Sequence, residues 1–316
     1  MKRVILAALF ALSAGQGRAD IPEVVTDIAP VHSLVAMVMG DLGQPHLIVE
    51  PGSSPHGLAL RPSQARSLQN AGLVVWVGPE LTPWLEKPVQ SLAGQAQNLR
   101  LLAQDAALHL DYDEDGNDGD EDARETVDAR ETEETHEAHD RHGVDPHAWL
   151  DPENGVAWLG MIADALANID PENAQAYRAN ARAGVASIQA AQAEVTAMLT
   201  PVADVPFVTF HDAYRYFEHR FGLRSAGSVA LGDAAGPGPA RLNGLRDRIS
   251  GLGTICAFSE PQFDPRLLEA VAPKGALRIA QVDPIGLSQQ AGAGLYPGLI
   301  RDMGQTIAEC LSRSAP

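Results

Sequence analysis

The sequence predicts an α/β protein with mostly parallel sheets, arranged as two lobes joined by one long helix. Three observations carry this expectation. Short apolar runs alternate with helical patterns both before and after the middle of the chain, as in parallel α/β layers. A long stretch of helical period separates the two halves. Side chains able to bind metal follow nearly every predicted strand, where open parallel sheets hold their ligands.

In order, Lys2 and Arg3, the apolar run Val4 to Ala14 and Gly17-Arg18-Ala19 read as a secretory leader over residues 1–19. The run is well short of the ~20 residues that a spanning helix needs. No cysteine follows the cleavage site to take a lipid, so a soluble exported protein is expected. Val24 to Thr26 predicts a first strand and Ser33 to Met39 lies in the following helix. His46 to Val49 predicts a second strand, and Pro62 to Asn70 a helix with proline in its first turn. Leu73 to Val77 is continuous and rich in β-branched residues, the pattern of a strand buried on both faces. Gly78-Pro79 ends it.

From Asp111 to Asp140 there are fifteen acidic residues and two basic ones, so most of the net charge of −18 comes from this tract. It is too polar and too like-charged to fold alone. His136, His139 and His142, three residues apart, end the stretch 111–142 and would align on a transient helical turn. With no basic patch elsewhere, nucleic acid is not an expected partner. Asp145-Pro146-His147-Ala148-Trp149 follows directly, a histidine held between a proline and a tryptophan.

Pro152 to Ala167 predicts a helix. Asp170-Pro171-Glu172 then supplies an N-cap, a first-turn proline and an acidic first turn. From there to Leu199 no proline and a single glycine occur, and Ala174, Tyr177, Ala181, Val185, Ile188, Ala191, Val195 and Met198 recur at spacings of three and four. Such a helix is about 42 Å long at 1.5 Å per residue. It serves either as a rigid connector, the preferred reading, or as the core helix of one large domain.

The second half repeats the alternation. Strands are predicted at Phe207 to Phe210, Thr254 to Phe258 and Leu277 to Val282. Helices are predicted around Asp212 to Arg220, Ala240 to Ile249, Pro265 to Ala270 and Pro297 to Leu311, with a glycine- and proline-rich loop at Gly232 to Pro239. Cys256 and Cys310 are an even pair without CxxC spacing. In an exported chain they favour a disulfide between a strand and the last helix, with two buried thiols as the alternative.

His56, His147, His211 and Asp283 are the candidate metal ligands. Each has a plain structural alternative: a loop residue, a core histidine under Trp149, a helix cap and a turn residue before proline. Three neutral imidazoles from separate loops nevertheless make a favourable first shell for zinc, with a carboxylate or water completing a tetrahedron. His32, His46, His109 and His219 are assigned structural or surface roles.

Assembled, these segments resemble the metal-binding solute-binding proteins of ABC importers, in the high-affinity zinc-uptake branch. The resemblance runs through Pro51-Gly52-Ser53-Ser54-Pro55-His56, Leu73-Val74-Val75-Trp76-Val77-Gly78-Pro79-Glu80, Asp145-Pro146-His147-Ala148-Trp149-Leu150, Phe210-His211-Asp212-Ala213-Tyr214, Phe258-Ser259-Glu260-Pro261-Gln262-Phe263 and Asp283-Pro284-Ile285-Gly286. It implies two α/β lobes, 20–168 and 201–316, linked by a helix over 170–200, with Zn²⁺ in the cleft. It further implies His56 and His147 from the first lobe, His211 from the second, and a disulfide between Cys256 and Cys310. The manganese branch tends to carry glutamate at the position of His211, which favours zinc here. Some zinc members place a glutamate ligand before the first histidine; here that residue is Pro55. Asp283, where manganese and iron members carry a carboxylate, becomes the expected fourth ligand, ahead of water or a loop histidine.

The function implied is periplasmic capture of Zn²⁺ by a monomer and delivery to an inner-membrane ABC permease, with no enzymatic activity. The acidic-histidine stretch is expected to act as a weak metal-collecting arm. A manganese- or iron-type member of the same family is the alternative. A secreted zinc hydrolase using Glu260 or Glu80 as base is a further rival, and the chain lacks an HExxH motif. A metal buffer or adhesion protein without a transporter differs from the main reading only in its partners.

Overall fold

The computed structural model describes residues 21–111, 143–230, 238–250, 252, 255–263, 266–269 and 276–313. The leader over 1–19, most of the acidic-histidine stretch (with His136, His139 and His142) and most of the Gly232 to Pro239 loop lie outside the described residues.

The amino-terminal lobe runs β1 (Val24–Thr26), α1 (Ala29–Met39), β2 (His46–Leu47), α2 (Pro62–Asn70), β3 (Leu73–Trp76), α3 (Pro83–Leu92) and β4 (Gln97–Arg100). All pairings are parallel, in the order β2-β1-β3-β4, with Val25 opposite His46 on one side and Val74 on the other. Then come α4 (Pro152–Ile169) and α5 (Ala174–Leu199). The carboxy-terminal lobe runs β5 (Phe207–His211), α6 (Arg215–Phe221), β6 (Ser225–Ala230), α7 (Pro239–Ile249), β7 (Ile255–Ser259), α8 (Arg266–Glu269), β8 (Leu277–Gln281) and α9 (Leu295–Ser312). Its sheet, again parallel, has the order β6-β5-β7-β8. Each lobe thus reverses its winding between its first and third strands, and that point is where an open parallel sheet leaves a crevice at its carboxyl edge.

Strand alternation sorts the apolar side chains. Val24, Leu73 and Val75 face the main core, whereas Val25, Val74 and Trp76 face a separate cluster with Ile48, Leu68, Leu85 and Val89. In the second lobe Phe207 points to the main core and Val208 and Phe210 to an outer cluster with Val229 and Leu245. The main core is continuous across both lobes, from Val24 and Ile28 through Trp158, Tyr177 and Ile188 to Ile300 and Cys310.

The long helix therefore joins the lobes and is also a core element. Over its 26 residues, about 39 Å at 1.5 Å per residue, it buries Tyr177, Ala181, Gly184, Ile188, Ala191, Val195 and Leu199. Three positions differ from the sequence expectation, the first being Ala174, which is only partly buried. The buried stripe takes Gly184 instead of Val185, and Leu199 instead of Met198, which is 39% exposed. A Cβ on Gly184 would stand 2.9 Å from Leu159 Cδ1 and 3.3 Å from the Met37 sulfur, so the glycine lets α4 and α1 come close. The helix also begins later than expected, after a 3-10 turn at Pro171–Asn173.

Cys256 on β7 and Cys310 on α9 form the disulfide, fastening the last helix to the sheet. Three elements had no sequence expectation: α3, β4 and β6. The first carries Pro83 and Pro88, and the two strands, QNLR and SAGSVA, are partly exposed at sheet edges without apolar alternation.

Candidate metal centre

Each candidate histidine is placed by local geometry that its sequence dictates. His56 lies within the loop between β2 and α2. There Ser53 N–H donates to Glu50 O (3.1 Å), Gly52 takes the left-handed conformation at φ 87°, and Trp84 Nε1 donates to Pro55 O at 2.7 Å. Only glycine adopts such a φ without steric cost.

His147 lies just before a 3-10 turn at Ala148–Leu150 and is 2% exposed. Asp145, fully buried, folds back over Pro146, and its Oδ1 accepts from the His147 backbone N–H at 2.9 Å and from Nδ1 at 2.7 Å. A carboxylate oxygen accepts, so Nδ1 carries the proton and Nε2 keeps its lone pair. That Nε2 is buried and has no hydrogen-bond partner. A buried nitrogen with a free lone pair, its opposite nitrogen locked by a carboxylate, is the arrangement of a metal-ligating histidine.

His211 is the last residue of β5, 4% exposed, at the reversal point of the second sheet. Its Nδ1 stands 3.4 Å from Oε1 of Glu260, which follows β7.

The three imidazoles converge. Ring centroids are 5.6 Å apart for His56 and His147, 6.0 Å for His56 and His211, and 5.1 Å for His147 and His211. One nitrogen from each lies within 4.8 Å of the other two, the single such metal-capable group among the described residues. Tetrahedral zinc with bonds of ~2.0–2.1 Å sets its ligand atoms about 3.3 Å apart, so capture needs only small ring movements. Trp149 packs against His147 and Phe263 against His211, at centroid distances of 5.3 and 5.9 Å, flanking the rings with apolar surface.

Asp283 does not join this group. Its Oδ1 accepts from Gly286 N–H at 2.9 Å, and its Oδ2 from the Ser288 N–H (2.7 Å) and hydroxyl (2.9 Å). The carboxylate is committed to holding the turn after β8, the chemistry expected of an aspartate before proline and glycine. The other described histidines are also apart: His32 Nε2 bonds Pro45 O at 3.0 Å, His46 faces Glu23 on the surface, and His109 and His219 are exposed.

The His147 segment is gripped by the opposite lobe. The Tyr216 hydroxyl donates to Asp145 O (3.0 Å) and accepts from Leu110 N–H (2.9 Å). Trp149 Nε1 donates to Pro284 O at 2.8 Å, and the Tyr296 hydroxyl donates to Trp149 O at 2.7 Å. Arg220 makes a two-pronged pair with the buried Asp151 carboxylate at 2.7 and 2.8 Å, which raises the guanidinium pKa further. Sequence reasoning gave none of Tyr216, Tyr296 or Arg220 a role, because each acts across the lobe boundary. The role of Asp145 had a local signal, since aspartate commonly bonds the backbone N–H two residues on.

A family profile described as "Zinc-uptake complex component A periplasmic" matches residues 24–310. The "High-affinity zinc uptake system protein ZnuA" of Paracoccus denitrificans is 49% identical over 98% of this chain and 97% of its own length.

The chain belongs to this zinc-uptake family.

The protein of the same name from Brucella suis biovar 1 is 40% identical over 92% of each chain. A crystal structure of ZnuA, 21% identical, superposes with a TM-score of 0.73 over 92% of this chain and all of that one, and so shares its fold. The family description is of a periplasmic component, and among the described residues no helix is long and apolar enough to cross a membrane. The three histidines that this zinc-uptake family member brings together are those the sequence singled out.

Proposed function

We propose that this protein captures Zn²⁺ in the periplasm, as a monomer released from its leader over residues 1–19, and passes the ion to an inner-membrane ABC permease. The observation that carries the reading is the convergence of His56, His147 and His211, drawn from two loops and the end of a strand, and from both lobes, with the His147 lone pair directed by Asp145. Imidazole nitrogens suit zinc, whereas a manganese site is expected to be richer in oxygen. With Asp283 committed to its turn, a water completes the shell in this reading. An exchangeable fourth ligand suits a protein whose task is to release its ion.

The division into lobes 20–168 and 201–316 about the helix over 170–200 fits the same reading. The continuous core and the polar ties across the lobes favour small ring and loop movements over a wide hinge. Capture is ligand exchange on deprotonated imidazoles, so acidification weakens the site.

The test is calorimetric titration of zinc into the metal-free mature protein and its His211→Ala variant. One tight equivalent in the wild type, lost in the variant, is expected. Tight binding that survives His211→Ala overturns the ligand set.

A further inference from the structure

Glu260 is a buried carboxylate that the three-histidine site does not use. It follows β7 at the reversal point of the second sheet, is 1% exposed, and its Oε2 accepts from Gln262 Nε2 at 2.6 Å. Its Oε1 points at His211 Nδ1, 3.4 Å away, the one basic side chain with which it pairs among the described residues, and the buried Tyr214 hydroxyl is its other polar neighbour, its pKa raised chiefly by burial and further by Glu260. A buried carboxylate without lysine or arginine is unfavourable unless a charge is supplied nearby.

Asp145 has the same character in the other lobe. It is fully buried, its Oδ2 has no partner, and its ion pair is with His147. Two buried carboxylates thus stand behind two of the three histidines, one from each lobe. Neither is among the groups that could bind the ion directly. Carboxylates on the far nitrogen of ligating histidines fix the ring tautomer and raise the basicity of the ligand.

The equivalent place in the first lobe, between β1 and β3, shows what a purely structural carboxylate does there. Asp27 follows β1, and both its oxygens are occupied, Oδ1 by Ile28 N–H and Oδ2 by Val77 N–H, each at 2.8 Å. Asp27 closes its crevice. Glu260 leaves one oxygen aimed at a histidine.

Resting on the zinc-capture reading above, we propose that Glu260 is a positioning residue for the metal. It holds the His211 ring from behind as Asp145 holds that of His147, so that one buried carboxylate per lobe orients a ligand and compensates the arriving dication. The 3.4 Å contact shortens to a hydrogen bond when the ion binds, leaving Nε2 of His211 for zinc.

The experiment compares the metal-stripped mature protein with Glu260→Gln and His211→Ala by zinc competition against a chromophoric chelator. Histidine side-chain ¹⁵N–¹H spectra of the zinc-loaded wild type are recorded alongside. Glu260→Gln is expected to keep one equivalent and to bind it ~10–100-fold more weakly, the usual cost of losing such a carboxylate. Its metal-free form should melt no lower than wild type, since the uncompensated carboxylate is gone; a residue that only supported the fold would lower it. In the wild type, His211 should carry its proton on Nδ1 and zinc on Nε2.

Affinity of Glu260→Gln within twofold of wild type, with the tight site lost in His211→Ala, overturns this proposal and leaves the site reading standing. A tight site retained in His211→Ala overturns both. Should Glu260→Gln melt well below wild type without metal, the spectra of the unaltered protein decide. A proton on Nδ1 upholds the proposal, and zinc on Nδ1 overturns it.

Discussion

Asp145 Oδ1 takes two hydrogen bonds from one residue, His147: from its backbone N–H at 2.9 Å and from its ring Nδ1 at 2.7 Å. One oxygen thereby fixes both where the ring begins and which nitrogen is free. An amide in its place can still accept from the backbone, but it no longer imposes the tautomer with a charge-assisted bond. Asp145→Asn should weaken zinc binding ~10–100-fold while one equivalent is still bound. Chelator competition checks it, and wild-type affinity in the variant would remove Asp145 from the site.

The same aspartate is held from across the lobe boundary. The Tyr216 hydroxyl accepts from Leu110 N–H and donates to Asp145 O, joining the two ends of the chain that flank the acidic-histidine stretch. Asp111 and Val144 bridge there as well. Tyr216→Phe leaves two backbone groups without this partner, at a cost of about 1–3 kcal/mol. Urea denaturation should show that loss, and amide exchange at Leu110 should quicken. Unchanged protection at Leu110 would mean that the hydroxyl is not what holds this junction.

Much of this was legible in the sequence where the signal was local and strong. Pro62 at the start of α2 and the unbroken apolar run of β3 placed those elements within a residue. His56 and His211 were legible because they follow or end a strand, and His147 because it stands between a proline and a tryptophan. What escaped were features set by distant partners. The edge strands β4 and β6 form because neighbours pair with them, not because of their own pattern. Val185 and Gly184 differ by one position on a helix whose buried face is chosen by Leu159 and Met37. Asp283 is a different case, since its partners Gly286 and Ser288 are local. The residue type suits a metal ligand and a turn equally well, and only the positions of Gly286 N–H and Ser288 decide between them.

That distinction has a direct consequence. Asp283→Ala removes three hydrogen bonds from the turn after β8. The turn is partly solvated, so a stability loss of about 1–2 kcal/mol is expected, near the net worth of one or two such bonds. Zinc affinity should stay within a few-fold of wild type. A loss of a hundredfold or more would restore Asp283 as the fourth ligand, swinging out of its turn when the ion arrives.

Asp27 gives the protein a pH dependence unconnected with metal. Burial pushes its carboxyl up to about 7, against the lowering effect of hydrogen bonds from Val77 and Ile28 N–H. The unfolded chain releases this proton near pH ~4. Between those values the native state holds more protons than the unfolded state, so stability from this group is full below pH ~4 and is lost as pH rises towards 7. Asp27→Asn has no proton to lose there. It is expected to be the weaker protein at acid pH, since an amide cannot accept from both N–H groups. Urea midpoints of the chelator-treated proteins from pH 4.5 to 7.5 give the comparison, in which histidine effects common to both cancel. The advantage of wild type over Asp27→Asn should shrink as pH rises. An advantage that grows with pH would show that the two backbone hydrogen bonds outweigh desolvation and keep Asp27 ionised in the fold.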